Sequence, residues 1–148
     1  MNGLCTKSRP GRRLAATLAG FLGVACVAHA VDPVAWATPP DAATTPNPQV
    51  ADAPSLARGR EIYSAECLPC HGDRGRGDGP DGYVLDPSPS DLTSLHVARQ
   101  RDGTLFFRIS EGHEGMPPFA PRLSVEQRWH VVNYVRSLAS EPRPGGRK

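Results

Sequence analysis

Residues 66–72 read ECLPCHG, which places Cys67 and Cys70 two residues apart with His71 directly after them. A disulfide redox centre would need only the two cysteines. A tetrahedral zinc site would need further ligands from other parts of the chain. The histidine that follows the second cysteine is required by neither of these sites.

The surroundings of this motif argue against both sites. The two further ligands of a zinc site would have to come from acidic residues or from the histidines at positions 71, 96, 113 and 130, and none of these shows the paired spacing of a zinc finger. A thioredoxin-type C-x-x-C opens a helix that follows a strand. Here the motif closes a predicted helix, and the sequence shows no alternation of strands and helices.

The pattern C-x-x-C-H is the attachment signal of c-type haem. Two thiols add across the two vinyl groups of the porphyrin, and positions three apart on a terminal helical turn lie on nearly the same side. His71 is then carried under the ring, where its imidazole can bind iron. Because Cys5 and Cys26 lie in a predicted leader, Cys67 and Cys70 are the cysteines of the mature chain. The sequence therefore predicts one covalently bound haem.

Met116 is the candidate for the second axial iron ligand. Apart from the initiator it is the only methionine, and it lies in the glycine- and proline-rich stretch EGMPPFAP. A His/Met pair raises the reduction potential of haem and suits electron transfer. His113 is three positions away, but a solvent-exposed or hydrogen-bonding role is favoured for it over iron binding.

Composition bounds the class of protein. The chain has 148 residues, 16 prolines and 15 glycines, and only 6% aromatic residues, so that its own core is thin. Four of the 17 basic residues and none of the 15 acidic ones lie in the first 30 positions, which leaves 13 basic against 15 acidic residues. The body is mildly acidic, and nucleic-acid binding has no support.

The first 30 residues predict a signal peptide. Arg12 and Arg13 precede the apolar run Leu14–Ala28, and Ala28-His29-Ala30 has the form of a cleavage site. An uncleaved anchor, or a lipoprotein cut before Cys26, is the alternative. Residues 31–54 predict a Pro/Ala-rich linker or disordered tail without helical period. Trp36 within it is interpreted as an incidental exposed ring rather than a docking anchor.

Three helices are predicted between these segments and a flexible C-terminal tail, residues 141–148. The first covers Leu56–Glu66, with Ser55 as its expected cap and Gly59 on its apolar face where another helix is expected to cross closely. The second covers Thr104–Glu111. The third covers Val125–Ala139, begun by a capping box of Ser124 and Gln127. The long connection after the first helix is expected to be ordered.

The chain resembles the class I c-type cytochromes over residues 55–140. The resemblance rests on GREIYSAECLPCHG, GRGDGP, DLT, DGTLFFRISEG, GMPPF and LSVEQRWHVVNYVRSL, which follow the family's order. It implies an all-α cytochrome c domain of three main helices and long loops around one haem c. The Gly59–Tyr63–Cys67 spacing is similar to the family's first helix, which crosses the last one at Val131 and Tyr134. The segments GRGDGP and LSVEQRWHVVNYVRSL are similar to bacterial domains found in or beside haem–copper oxidases and membrane dehydrogenases.

The resemblance implies a one-electron carrier rather than an enzyme. Cys67 and Cys70 would hold the ring, and His71 and Met116 would hold the iron. Redox proteins are the expected donor and acceptor, including a membrane oxidase or dehydrogenase complex, and the expected location is the bacterial periplasm, free or tethered. The alternative is a ligand-binding, sensory or catalytic haem protein in which a small molecule displaces Met116.

Overall fold

The computed structural model describes residues 36–140. The predicted signal peptide, residues 31–35 and the predicted C-terminal tail lie outside the described residues. Within the described range the chain is helical and contains no strand. Its elements are α1 (Pro40–Thr44), α2 (Ala53–Glu66), α3 (Leu68–His71), a 3-10 turn (Gly82–Val84), α4 (Leu95–Ala98), α5 (Asp102–Glu111) and α6 (Val125–Ser140). The predicted all-α fold is confirmed.

The three predicted helices are present as α2, α5 and α6, each somewhat longer than expected. Asp52, rather than Ser55, caps α2, because its carboxylate accepts from the Ser55 amide at 2.9 Å. The predicted capping box of α6 is present: the Ser124 amide donates to Gln127 Oε1 at 2.8 Å, and the Gln127 amide donates to Ser124 Oγ at 3.1 Å.

Helices α2 and α6 cross with their backbones almost in contact at Gly59. A Cβ atom built on Gly59 would lie 2.1 Å from the carbonyl oxygen of His130 and 2.8 Å from Cβ of Tyr134. One turn further along, the rings of Tyr63 and Tyr134 pack with centroids 5.1 Å apart. The close helix crossing that the glycine on the apolar face of α2 predicted is therefore present.

The replacement Gly59→Ala should destabilise the protein by about 3 kcal/mol, because backbone atoms cannot move aside as a flexible side chain can. Helix propensity alone would instead stabilise the variant by about 1 kcal/mol. Urea unfolding of the haem-loaded protein measures the difference. Ser64→Ala on the exposed face of α2 is the matched control, and a stabilised Gly59→Ala would contradict the close crossing.

One hydrophobic cluster occupies the space between α6 and the remaining elements. It consists of Val97, Leu105, Ile109, Phe119, Leu123, Trp129, Val131, Val132 and Val135. Trp129 stacks on Phe106 with ring centroids 4.1 Å apart. The partly buried residues that pack against this cluster are Ile62, Cys67, Leu92, Phe106 and Met116.

The N-terminal strap, residues 36–52, differs from the expected unstructured linker. It contains α1, and Asn47 Nδ2 donates to Oδ1 of Asn133 on α6 at 2.7 Å. A Cβ on Gly103 of α5 would lie 2.1 Å from the Ala42 carbonyl oxygen. The strap is therefore held by the side-chain amide of Asn133 on α6, by its close approach to α5 and by contacts of Trp36. None of these contacts requires a periodic spacing of apolar residues in the strap, so they could not be predicted from its sequence.

Candidate cofactor site

The two cysteines and the histidine lie on one tight turn. Helix α2 ends at Glu66, and the His71 amide donates to the Cys67 carbonyl at 2.8 Å, which closes α3. Both cysteines are free and partly exposed. One short turn, from Cys67 to His71, therefore carries both cysteines and the histidine.

Burial raises the pKa of the Cys67 thiol to about 12, and the neighbouring Glu66 carboxylate adds to the rise. In the folded chain this thiol is therefore protonated at neutral pH and is a weak nucleophile.

A glycine loop, residues 72–82, wraps this turn and satisfies its carbonyl groups. The amides of Gly77, Gly79 and Asp81 donate to the carbonyls of His71, Cys70 and Pro69 at 2.8, 3.1 and 2.8 Å. A Cβ on Gly79 would lie 2.4 Å from the Pro69 carbonyl oxygen, so that this approach needs glycine. The ordered loop expected from the sequence encloses the cysteine-bearing backbone.

Tyr63 fastens the same turn to α2. Its hydroxyl donates to the Gly72 carbonyl at 2.7 Å, and the ring is 1% exposed. Burial, more than any neighbouring charge, raises the pKa of Tyr63, so that the hydroxyl keeps its proton and remains a donor. The turn is therefore held from both sides, by the glycine loop and by α2.

His71 is oriented by one hydrogen bond to the backbone. Its Nδ1 lies 3.2 Å from the Ser90 carbonyl oxygen. A carbonyl can only accept, so Nδ1 carries the proton and Nε2 keeps its lone pair for a metal. Burial lowers the pKa of His71, although the bond to Ser90 acts in the opposite direction. The neutral form, which is the form that binds metals, is favoured.

Met116 lies on a separate loop after α5. Gly112 at φ 66° ends that helix, and Gly115 at φ 73° turns the chain so that Met116 pairs with His113. The His113 and Met116 amides donate to each other's carbonyls at 2.9 and 2.8 Å. The side chain of Met116 packs against the same hydrophobic cluster as Cys67. The cysteine-bearing turn and the Met116 loop thus pack against the same hydrophobic cluster.

This donor set fits a haem c better than the alternatives. Two free thiols, one imidazole with an available nitrogen and one thioether match the attachment and ligation of such a group. A zinc site has no support in residues 36–140, where no group of three or more His, Cys, Asp or Glu side chains is placed to hold a metal. A strand preceding the C-x-x-C, as in thioredoxin, is also absent from this range.

The other histidines lie in different surroundings. His96 is exposed on α4. His130 is 6% exposed, and its Nδ1 lies 2.8 Å from Ser55 Oγ in the crossing of α2 and α6. His113 stacks on Trp36, with ring centroids 5.2 Å apart. The interpretation of Trp36 as an incidental exposed ring is therefore wrong, because this ring stacks on His113 in the Met116 loop.

Two contacts could not be found from the sequence. Ser90 acts on His71 through a backbone carbonyl, which every residue carries. Trp36 reaches the Met116 loop over 77 positions, from a segment whose composition resembles a linker.

Comparisons with known proteins agree on one family. Residues 54–135, more than half of the chain, match the family model described as cytochrome C oxidase, cbb3-type, subunit III. The cytochrome bc1 complex cytochrome c subunit of Mycobacterium leprae is 30% identical over 62% of this chain and 29% of its own length. Cytochrome c6 of Gracilaria tenuistipitata var. liui is 29% identical over 62% of this chain and 80% of its own.

Among solved structures, a chain of the Kuenenia stuttgartiensis reducing HAO-like protein complex is similar, with a TM-score of 0.54 and 32% identity. That match covers 63% of this chain and 47% of the other. The chain spans 28% to 31% of the length of the three bc1-complex cytochrome c subunits that it matches. The shared part is therefore one domain.

Proposed function

Because the chain belongs to the cytochrome c family, with a domain of the type described as cytochrome C oxidase, cbb3-type, subunit III, we propose that it is a one-electron carrier with His71 and Met116 as axial iron ligands. Members of this family transfer electrons through a covalently bound haem c. The C-x-x-C-H cysteines of this chain are Cys67 and Cys70.

The hydrogen bond from His71 to the Ser90 carbonyl carries the proposal. It fixes the tautomer in which Nε2 is free, and it directs the ring from a turn that is already held by Tyr63 and the glycine loop. A pre-oriented imidazole needs little rearrangement when the iron changes its charge. This property suits a carrier.

When bound, the haem supplies the ferric–ferrous couple. The contribution of the chain is to hold the ring and to choose the ligands. The thioether of Met116 is soft and neutral and favours ferrous iron, which raises the potential. With two protein ligands in place no position remains for a substrate, and we assign the domain a transfer role without catalysis of its own.

We propose that the chain works in a bacterial periplasm, free or tethered. The basic, apolar and small-residue pattern of residues 1–30 supports export. Within residues 36–140, the helices are too short or too polar to cross a bilayer.

We propose redox proteins as donor and acceptor, including a respiratory membrane complex. The support is the naming of relatives as a subunit of the cytochrome bc1 complex and as the cbb3-type oxidase subunit FixP. The domain would serve either as a shuttle or as the electron-transfer part of such an assembly.

Two measurements on the purified protein test this function. Intact mass after acid–acetone extraction should retain one haem on the chain, and the resting ferrous protein should bind carbon monoxide slowly or not at all. Rapid carbon monoxide binding would contradict the assignment as an electron carrier and favour the alternative, a ligand-binding haem protein. Colour that moves into the organic phase would contradict covalent attachment.

Docking to a redox partner should depend only modestly on salt. Exposed charges beside the cysteine-bearing turn are mixed in sign, as in Asp73, Arg74, Arg76 and Asp78, whereas steering needs one dominant sign. Electron-transfer rates should fall by less than about tenfold between low and physiological ionic strength. A hundredfold fall would reveal a one-sign patch. Arg74→Ala should change the rate little.

A further inference from the structure

Trp36 is fixed to α5 by Arg108. The Arg108 guanidinium donates to the Trp36 carbonyl oxygen at 3.0 Å and lies over the indole ring, 5.1 Å from its centroid. A second bond, to Gln100 Oε1 at 3.1 Å, holds the guanidinium itself. The ring is therefore held in place by backbone, cation–π and side-chain contacts together.

The face of this ring holds the imidazole of His113. The two rings stack with centroids 5.2 Å apart and planes 26° apart. The His113 side chain is 43% exposed, and its other neighbour is Glu114, whose Oε1 lies 3.9 Å from Nε2. Without Trp36, little in the described structure would keep this imidazole in its position.

His113 is also the closest backbone partner of Met116. The two residues exchange both backbone hydrogen bonds, at 2.9 and 2.8 Å. Side chains of a pair bonded in this way stand on the same side of the backbone, with Cβ atoms about 5 Å apart. The loop thus offers two iron ligands on one side: a thioether, packed on the hydrophobic cluster, and an imidazole, packed on Trp36.

We infer that Trp36 is a positioning residue that holds His113 away from the iron, so that Met116 is the ligand. This inference rests on the proposed axial role of Met116. Imidazole is a good ligand for iron and lacks the preference of a thioether for the ferrous state. Loss of the stack therefore releases a competitor, above all in the ferric protein. The strap in this way acts on the choice of axial ligand through its contact with His113.

The test is the ferric spectrum of Trp36→Ala compared with wild type. We expect haem to stay attached, and the fraction of ferric protein that lacks the sulfur-to-iron charge-transfer band to rise about tenfold, as expected from a lost aromatic stack. The double variant Trp36→Ala, His113→Ala should regain the band. Trp36→Phe should keep it, because a phenyl face can still stack. Val50→Ala, an exposed position in the same strap, is the matched control.

The outcomes separate this inference from the proposed function. A wild type without the band would overturn both. If the wild type shows the band and Trp36→Ala keeps it unchanged, the carrier assignment stands and the role of Trp36 is refuted. A band lost in Trp36→Ala and not regained in the double variant would also refute it, since the strap would then act on the loop generally. Trp36→Leu, which keeps apolar bulk without a ring face, replaces the alanine variant if that does not accumulate.

Discussion

Replacing both Cys67 and Cys70 with Ala should abolish covalent haem and leave little folded protein. The hydrophobic cluster is small, and the chain carries only 6% aromatic residues, so that the apolar faces of the haem supply much of the core. Without thioethers the haem can bind only through its axial ligands, and the chain must order its long loops at the full entropic cost. Helix content by circular dichroism and haem per chain by pyridine haemochrome measure the two losses.

The single variants give the matched controls. Cys67→Ala and Cys70→Ala should each keep one thioether and an intermediate yield of coloured protein. Ser64→Ala, on the exposed face of the preceding helix, should resemble wild type. A double variant with native helix content in the absence of haem would show that the chain has a sufficient core of its own.

The second large effect concerns Met116. Met116→Ala should keep the covalent haem, because Cys67, Cys70 and His71 remain on their turn. It should lower the reduction potential by on the order of a hundred millivolts or more, since a soft ligand that favours ferrous iron is lost. The reduced variant should bind carbon monoxide rapidly. Spectropotentiometry and carbon monoxide titration measure these changes.

His113 makes a second variant necessary. Its backbone pairs with Met116, and it lies only three positions away along the chain, so that we expect its imidazole to compete for the vacant place. Met116→Ala, His113→Ala should therefore bind carbon monoxide faster than Met116→Ala alone. If Met116→Ala leaves both the potential and the ferric spectrum unchanged, Met116 is not the resting ligand.

The sequence predicted those structural features that depend on residues close together in the chain. The capping box of α6, the glycine at the helix crossing and the C-x-x-C-H turn each depend on residues a few positions apart, and the structure contains all three. The predicted cap of α2, Ser55, lies three positions after the observed cap, Asp52, and both residue types are good helix caps.

The features that could not be predicted depend on contacts between residues far apart in the sequence. The Ser90 carbonyl that orients His71 and the Asn133 amide that holds the strap leave no pattern near the residues they bind. The stack of Trp36 on His113 joins a segment of linker-like composition to the Met116 loop. Such a segment is interpreted as a linker from sequence alone, because the residues that stabilise it belong to other elements of the fold.

The ferric wild-type protein, measured by near-infrared magnetic circular dichroism, tests the central claim most directly. A sulfur-to-iron charge-transfer band, present in nearly the whole population, is the result expected for axial ligation by His71 and Met116. A spectrum typical of two imidazoles, or of a high-spin iron with one open position, would contradict it.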